Sequence, residues 1–202
     1  MKRDNLVVLP SKPATKNDTT TLHSNNILEF PQVKKNIVDY ALRDALFEKA
    51  VRADQSGNLE AAVVLYKQVI QVDPNNASTW VNLGTIAFHK RDWEYAERCY
   101  SKALEIDPNY PLTHYNLGTY FDECNQDDMA EAYYLIALKL DPGYVDAHYN
   151  LGLLYSEMGK YEQALHHLEA YLKGSPKTDP WYQKVQREIA RLKNFRIIES
   201  SS

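Results

Sequence analysis

The pentapeptide HYNLG stands at residues 114–118 and again at 148–152, and WVNLG stands at 80–84. Histidine, tyrosine and asparagine are side chains from which metal centres and acid–base sites are built, so their spacing must separate such a site from a structural repeat. A zinc site needs further ligands converging within bonding distance. Cys124 is the nearest cysteine to His114, ten residues along, which is about 15 Å up a single helix. His166 and His167 are adjacent, and adjacency splays two rings apart on a helix, predicting that both face solvent. No phosphate loop, nucleophile elbow, HExxH or paired-carboxylate motif stands out. The expectation is a chain with no catalytic residue, no metal and no cofactor.

The spacing points to repetition. Pro74, Pro108, Pro142 and Pro176 are each 34 residues apart. With proline as position 32, units begin at Arg43, Ala77, Pro111 and Val145, spanning 43–76, 77–110, 111–144 and 145–178. Position 8 then reads Ala50, Gly84, Gly118, Gly152; position 20 reads Ala62, Ala96, Ala130, Ala164; position 24 reads Tyr66, Tyr100, Tyr134, Leu168. Small and large residues keep to separate columns.

Each unit holds two stretches of helical periodicity, separated by Gly57, by Arg91 and Asp92, by Asn125 and by Gly159. Helices of about 14 residues are marginal alone, so stability must come from stacking on neighbours. Small residues at positions 8 and 20 let paired helices approach closely, and the proline after aspartate stops the second helix. Past Pro176, residues 179–197 read as a capping helix, with Tyr182, Val185, Ile189 and Leu192 on one face and Lys184, Gln186, Arg187 and Arg191 elsewhere. Residues 37–56 read as a lengthened first helix, with Asn36 a candidate N-cap. Residues 1–36 and 198–202 show little periodicity and are expected to be largely without structure, except for the short apolar pieces NLVVLP and NILEF.

Composition excludes several classes. Hydrophobic residues at 44% and charged residues at 25% rule out wholesale disorder and a fibrous protein. A net charge of −4 provides no general attraction to nucleic acid or anionic lipid, and neither nucleic-acid binding nor membrane insertion is expected. Cys99 and Cys124 form no CxxC pair, and Leu6 to Leu9 is too short for a secretory apolar region. The expected location is cytoplasmic.

The period and columns resemble the tetratricopeptide repeat family, whose pattern is W-x2-L-G-x2-Y, then A-x3-F, then P. The second unit supplies Trp80, Leu83, Gly84, Ala96, Tyr100 and Pro108; the third and fourth place His114 and His148 in the Trp column; the first has Leu46 there. The resemblance implies an all-α superhelix, an α-solenoid of helix-turn-helix repeats. Such a protein acts as a scaffold or adaptor, holding a protein or peptide partner in its concave groove. Asn82, Asn116 and Asn150 share position 6, about 200° around the helix from position 4. The resemblance puts them on the groove wall, where a primary amide suits both the C=O and the N–H of a peptide backbone. Their replacement by Ala is expected to weaken binding and leave stability nearly unchanged. Val81, Thr85, Phe88, Leu112, Tyr115, Thr119, Tyr149 and Leu153 would line the same wall.

Charge gives the groove a direction, acidic at Asp44, Glu48 and Asp54 and basic at Lys184, Arg187 and Arg191. Family members that grip the carboxylate tails of heat-shock chaperones use Lys and Asn at positions 5 and 9, Asn at 6, then Lys and Arg at 2 and 6 of three successive units. Here those places hold Phe47, Val51, Asn82, Leu112 and Asn116, or one unit later Val81, Thr85, Asn116, Asp146 and Asn150. A chaperone carboxylate tail is therefore not the expected partner. A second reading is regulatory, in which the N-terminal tail, carrying +3 against −7 for the remainder, fills the groove itself or contacts another macromolecule.

Overall fold

A computed structural model describes residues 38–199, which form helices and turns with no strand among the described residues. The helices are α1 (Tyr40–Gln55), α2 (Leu59–Val72), α3 (Ala77–His89), α4 (Trp93–Ile106), α5 (Pro111–Glu123), α6 (Asp127–Leu140), α7 (Val145–Glu157), α8 (Tyr161–Gly174) and α9 (Tyr182–Glu199). They stack as four hairpins, α1/α2 through α7/α8. The second helix of each hairpin packs on the first helix of the next, and α9 packs on α8. The chain is an all-α helical repeat solenoid. NLVVLP, NILEF and Asn36 lie outside the described residues. The first helix is capped instead by Asp39, whose carboxylate accepts from the Leu42 N–H at 3.0 Å. At the other end α9 continues to Glu199, beyond the boundary at 197 that the sequence suggests.

Each hairpin turns on a residue in the left-handed region at the same place in the repeat: Gly57, Arg91, Asn125 and Gly159, with φ of 78°, 59°, 55° and 73°. The following N–H then reaches back to the last turn of the helix, as from Asp92 to the Ala87 carbonyl and from Lys160 to the Tyr155 carbonyl. This closing bond satisfies carbonyls the helix end would leave bare. Between hairpins, the carboxylates of Asp73, Asp107 and Asp141 accept from the N–H two residues on, bracing each Asp-Pro turn.

The core follows the columns. Ala62, Ala96, Ala130 and Ala164 are fully buried, as are Tyr66, Tyr100, Tyr134 and Leu168. A Cβ on Gly84, Gly118 or Gly152 would lie 2.6, 2.5 and 2.7 Å from Tyr100, Tyr134 and Leu168 respectively. Glycine at position 8 is the space into which the position 24 side chain lies. On α9, Val185, Ile189 and Leu192 are buried, so this helix closes the end of the last hairpin with the face its sequence pattern indicates.

Candidate functional site

Each letter of HYNLG has a separate job. Trp80 Nε1 donates to the Pro74 carbonyl at 2.9 Å, and the Nε2 atoms of His114 and His148 lie 2.8 and 3.2 Å from the carbonyls of Pro108 and Pro142. With the proton on Nε2, histidine replaces tryptophan because both offer a ring N–H to the turn six residues upstream. Leu83, Leu117 and Leu151 fill the core, and the glycines make room for their position 24 partners.

Asparagine ties one repeat to the one before it. Asn82 donates its side-chain N–H to the Tyr66 hydroxyl at 3.0 Å, and Asn116 donates to Thr85 Oγ1 at 3.3 Å. Asn150 reaches the hydroxyls of Tyr115 at 3.2 Å and Tyr134 at 3.3 Å. The three amides are 2%, 1% and 2% exposed, so the open row expected from the sequence is a row of buried struts. The cause is the reach of hydroxyls from the preceding unit. Their side-chain oxygens behave differently, because Oδ1 of Asn116 and of Asn150 is buried and accepts no hydrogen bond from the described residues.

The other predicted wall residues fall into two groups. Val81, Leu112, Tyr115 and Tyr149 are buried to 3% exposure or less, and Thr85, Thr119 and Phe88 are buried nearly as fully. Phe88 packs edge-on against Trp93 at 5.4 Å, Tyr115 meets Tyr144 at 4.9 Å, and Thr119 Oγ1 accepts from the Tyr134 hydroxyl at 3.3 Å. Toward α9 the wall opens into a cavity of about 350 Å³, lined by Tyr149, Leu153, Lys184, Val185, Arg187, Glu188 and Arg191. Lys184 Nζ stands 4.6 Å over the Trp181 ring, and Arg191 is ion-paired with Glu188 at 2.5 Å. At the opposite end Asp44 and Glu48 are exposed and paired with Arg43 and Arg52. The structure therefore brings the predicted residues onto α3, α5, α7 and α9, while Tyr66 and Tyr134, which hold the asparagines, were visible in sequence only as a tyrosine column.

Tetratricopeptide repeat models match residues 77–110, 99–132 and 133–166, and a TPR repeat model matches 55–91. Together these span more than half of the chain. The chain belongs to the tetratricopeptide repeat family. Solved structures agree in fold. The TPR array matches MamA at 22% identity and TM-score 0.63, covering 80% of this chain and 86% of that one. It matches PilF of Pseudomonas aeruginosa at 27% and 0.68, covering 76% and 68%. It also matches YrrB, a TPR protein described as having an unusual peptide-binding site, at 20% and 0.59, covering 79% and 81%. Comparison with curated proteins finds no match. As a TPR protein the chain is a protein–protein interaction module, and no helix among its described residues is long and apolar enough to cross a membrane.

Reactive groups in the TPR array are muted. Burial pushes the Cys99 thiol up to about 11 and also raises Cys124, holding both as thiols near neutrality. Among the described residues no cluster of three or more His, Cys, Asp or Glu could hold a metal. One histidine departs from expectation. His166 is exposed, but His167 is half-buried, with Nδ1 2.9 Å from Nδ1 of His148 on α7. Burial, then the charges of His148 and His166, lower His167 to about 4, and burial lowers His148 too.

Two facing nitrogens can share one proton but not carry two. Stability from this pair is present above the unfolded value of about 6.5 and falls as pH drops toward 4, because the unfolded chain then binds more protons. Thermal melts at pH 7 and pH 5 should show a lower Tm at pH 5, and His167→Phe should narrow that difference. An equal difference in both proteins would remove the pair as its source.

Proposed function

We propose that the wall formed by α3, α5 and α7 holds an extended segment of a partner protein, making the chain a non-enzymatic scaffold or adaptor. The observation that carries this reading is the open cavity of about 350 Å³ at the α9 end of the wall, lined by Tyr149, Leu153, Val185, Lys184 and Arg187. Half-buried Leu153 supplies apolar surface there. Lys184 and Arg187 give one end of the groove a positive charge that orients an acidic residue of the segment.

YrrB, described as having an unusual peptide-binding site, supports the reading, and so does a TPR domain solved with the peptide SRMEEVD of HSP90, which matches at 21% identity and TM-score 0.55. The chaperone tail itself is not proposed here, since Asp146 and Leu112 replace the cations that would grip it.

A displayed library of extended peptides, panned against the full chain, should yield binders. Leu153→Arg, at a half-buried wall position, should weaken those binders at least about tenfold, a change of 1.4 kcal/mol, with helicity unchanged. Binders indifferent to Leu153→Arg would move the site off this wall.

A further inference from the structure

The second helix of each hairpin turns one face away from the array, and on α6 that face is apolar. Among the described residues six large hydrophobic side chains are exposed, and Met129, Leu135 and Ile136 of α6 are three of them, at 42%, 42% and 38%. Helix α6 packs chiefly on α5 and α7, through the buried stripe Ala130, Tyr134, Ala137 and Leu138. At 3.6 residues per turn, Met129, Ala132, Leu135 and Ile136 fall within about 120° of arc on the side opposite that stripe.

The register makes the departure plain. Repeat positions 25 and 26 are Lys67 and Gln68 on α2, Ser101 and Lys102 on α4, and Glu169 and Ala170 on α8, against Leu135 and Ile136 on α6. Stacking does not demand apolar side chains at these positions, because three hairpins stack without two of them.

Charge says what fits the face. Asp128 and Lys139 lie on the same arc before and after it, both exposed, and neither is ion-paired among the described residues. At the same two positions of α4, Glu94 and Glu105 are paired with Arg98 and Lys102 of their own helix. Two α6 faces laid antiparallel put Asp128 opposite Lys139 of the second copy, and the same centre puts Ala132 opposite Leu135. The small side chain receives the large one in the register that pairs the charges. Laid parallel, Asp128 would meet Asp128 and Lys139 would meet Lys139, which like-charge repulsion disfavours.

We propose that the outer face of α6 binds the same face of a second copy of this chain, the two helices antiparallel about a twofold axis. Such a contact is isologous and closes at two copies. Its small area makes the dimer weak and dependent on concentration. Pairing through α6 leaves both grooves open, so a partner carrying two segments is held more tightly than by one groove; that consequence rests on the groove reading above, whereas the pairing does not.

Sedimentation equilibrium of the full chain across a range of concentrations is the test. The unaltered chain should pass from monomer to dimer, and Leu135→Glu should weaken the dimer at least about tenfold with Tm unchanged, as a change at an exposed position allows. Asp128→Lys and Lys139→Glu should each weaken it too, because the twofold axis repeats the clash, and an equimolar mixture of these two variants should regain the parental affinity. A chain that stays monomeric up to millimolar concentration overturns the proposal, as do assemblies larger than two copies or a dimer indifferent to Leu135→Glu. Charge variants that fail to recover on mixing overturn the antiparallel register.

Discussion

Gly118→Leu should melt well below the unaltered protein and lose helical signal at a lower urea concentration. A Cβ there would lie 2.5 Å from Cδ1, 2.6 Å from Cε1 and 3.0 Å from Cγ of the Tyr134 ring. That ring is fully buried, and its hydroxyl bonds Thr119 and Asn150, so it has nowhere to swing. Overpacking of this kind costs about 1–3 kcal/mol or more, a large part of a typical domain's 5–15. The damage spreads beyond one hairpin, because Tyr134 is also the anchor for Asn150 on the next. Ala50 holds the same column in the first unit and is fully buried there, so Gly118→Ala should cost less than Leu. A Gly118→Leu protein with the Tm of the parent would contradict the assigned contact.

Asn150→Ala should lower the urea midpoint, by a free energy of about 1–3 kcal/mol. The substitution removes the donor from two buried tyrosine hydroxyls, Tyr115 at 3.2 Å and Tyr134 at 3.3 Å. Tyr134→Phe removes one of the same bonds. The two costs combined in one chain should therefore sum to less than their separate values, the signature of a shared contact. Full additivity, or an unchanged midpoint for Asn150→Ala, would return the asparagine to the freely exposed role that sequence spacing suggests. It follows that the asparagine variants report on folding as well as binding, which is why Leu153 is the better probe of the groove.

Much of the fold was legible because it is written in recurrence. Four prolines at one interval, the alanine column and the tyrosine column determine where helices end and which side chains meet. The left-handed corners at Gly57, Asn125 and Gly159 could be anticipated from residue type, and Arg91 from its place in the register. What escaped was contact between units. A helical wheel shows that position 6 turns away from position 4, yet it cannot show that a hydroxyl from the preceding hairpin lies within 3.0 Å of Asn82. His167 escaped for a similar reason. Its adjacency to His166 was visible, whereas its partner His148 lies 19 residues back on α7. The N-cap shifted from Asn36 to Asp39 because both residue types cap well and local sequence does not choose between them.

The asparagine links run from one unit to the one before it, Asn82 to Tyr66 and Asn150 to Tyr134 in the same register and Asn116 to Thr85 in another. A duplicate of 111–144 spliced after residue 144 would meet the same tyrosines, glycines and turn carbonyls that its parent meets. Growth by whole-unit duplication is thus open to this architecture at little folding cost, and a lengthened gene would encode a longer trough with its two charged ends moved further apart.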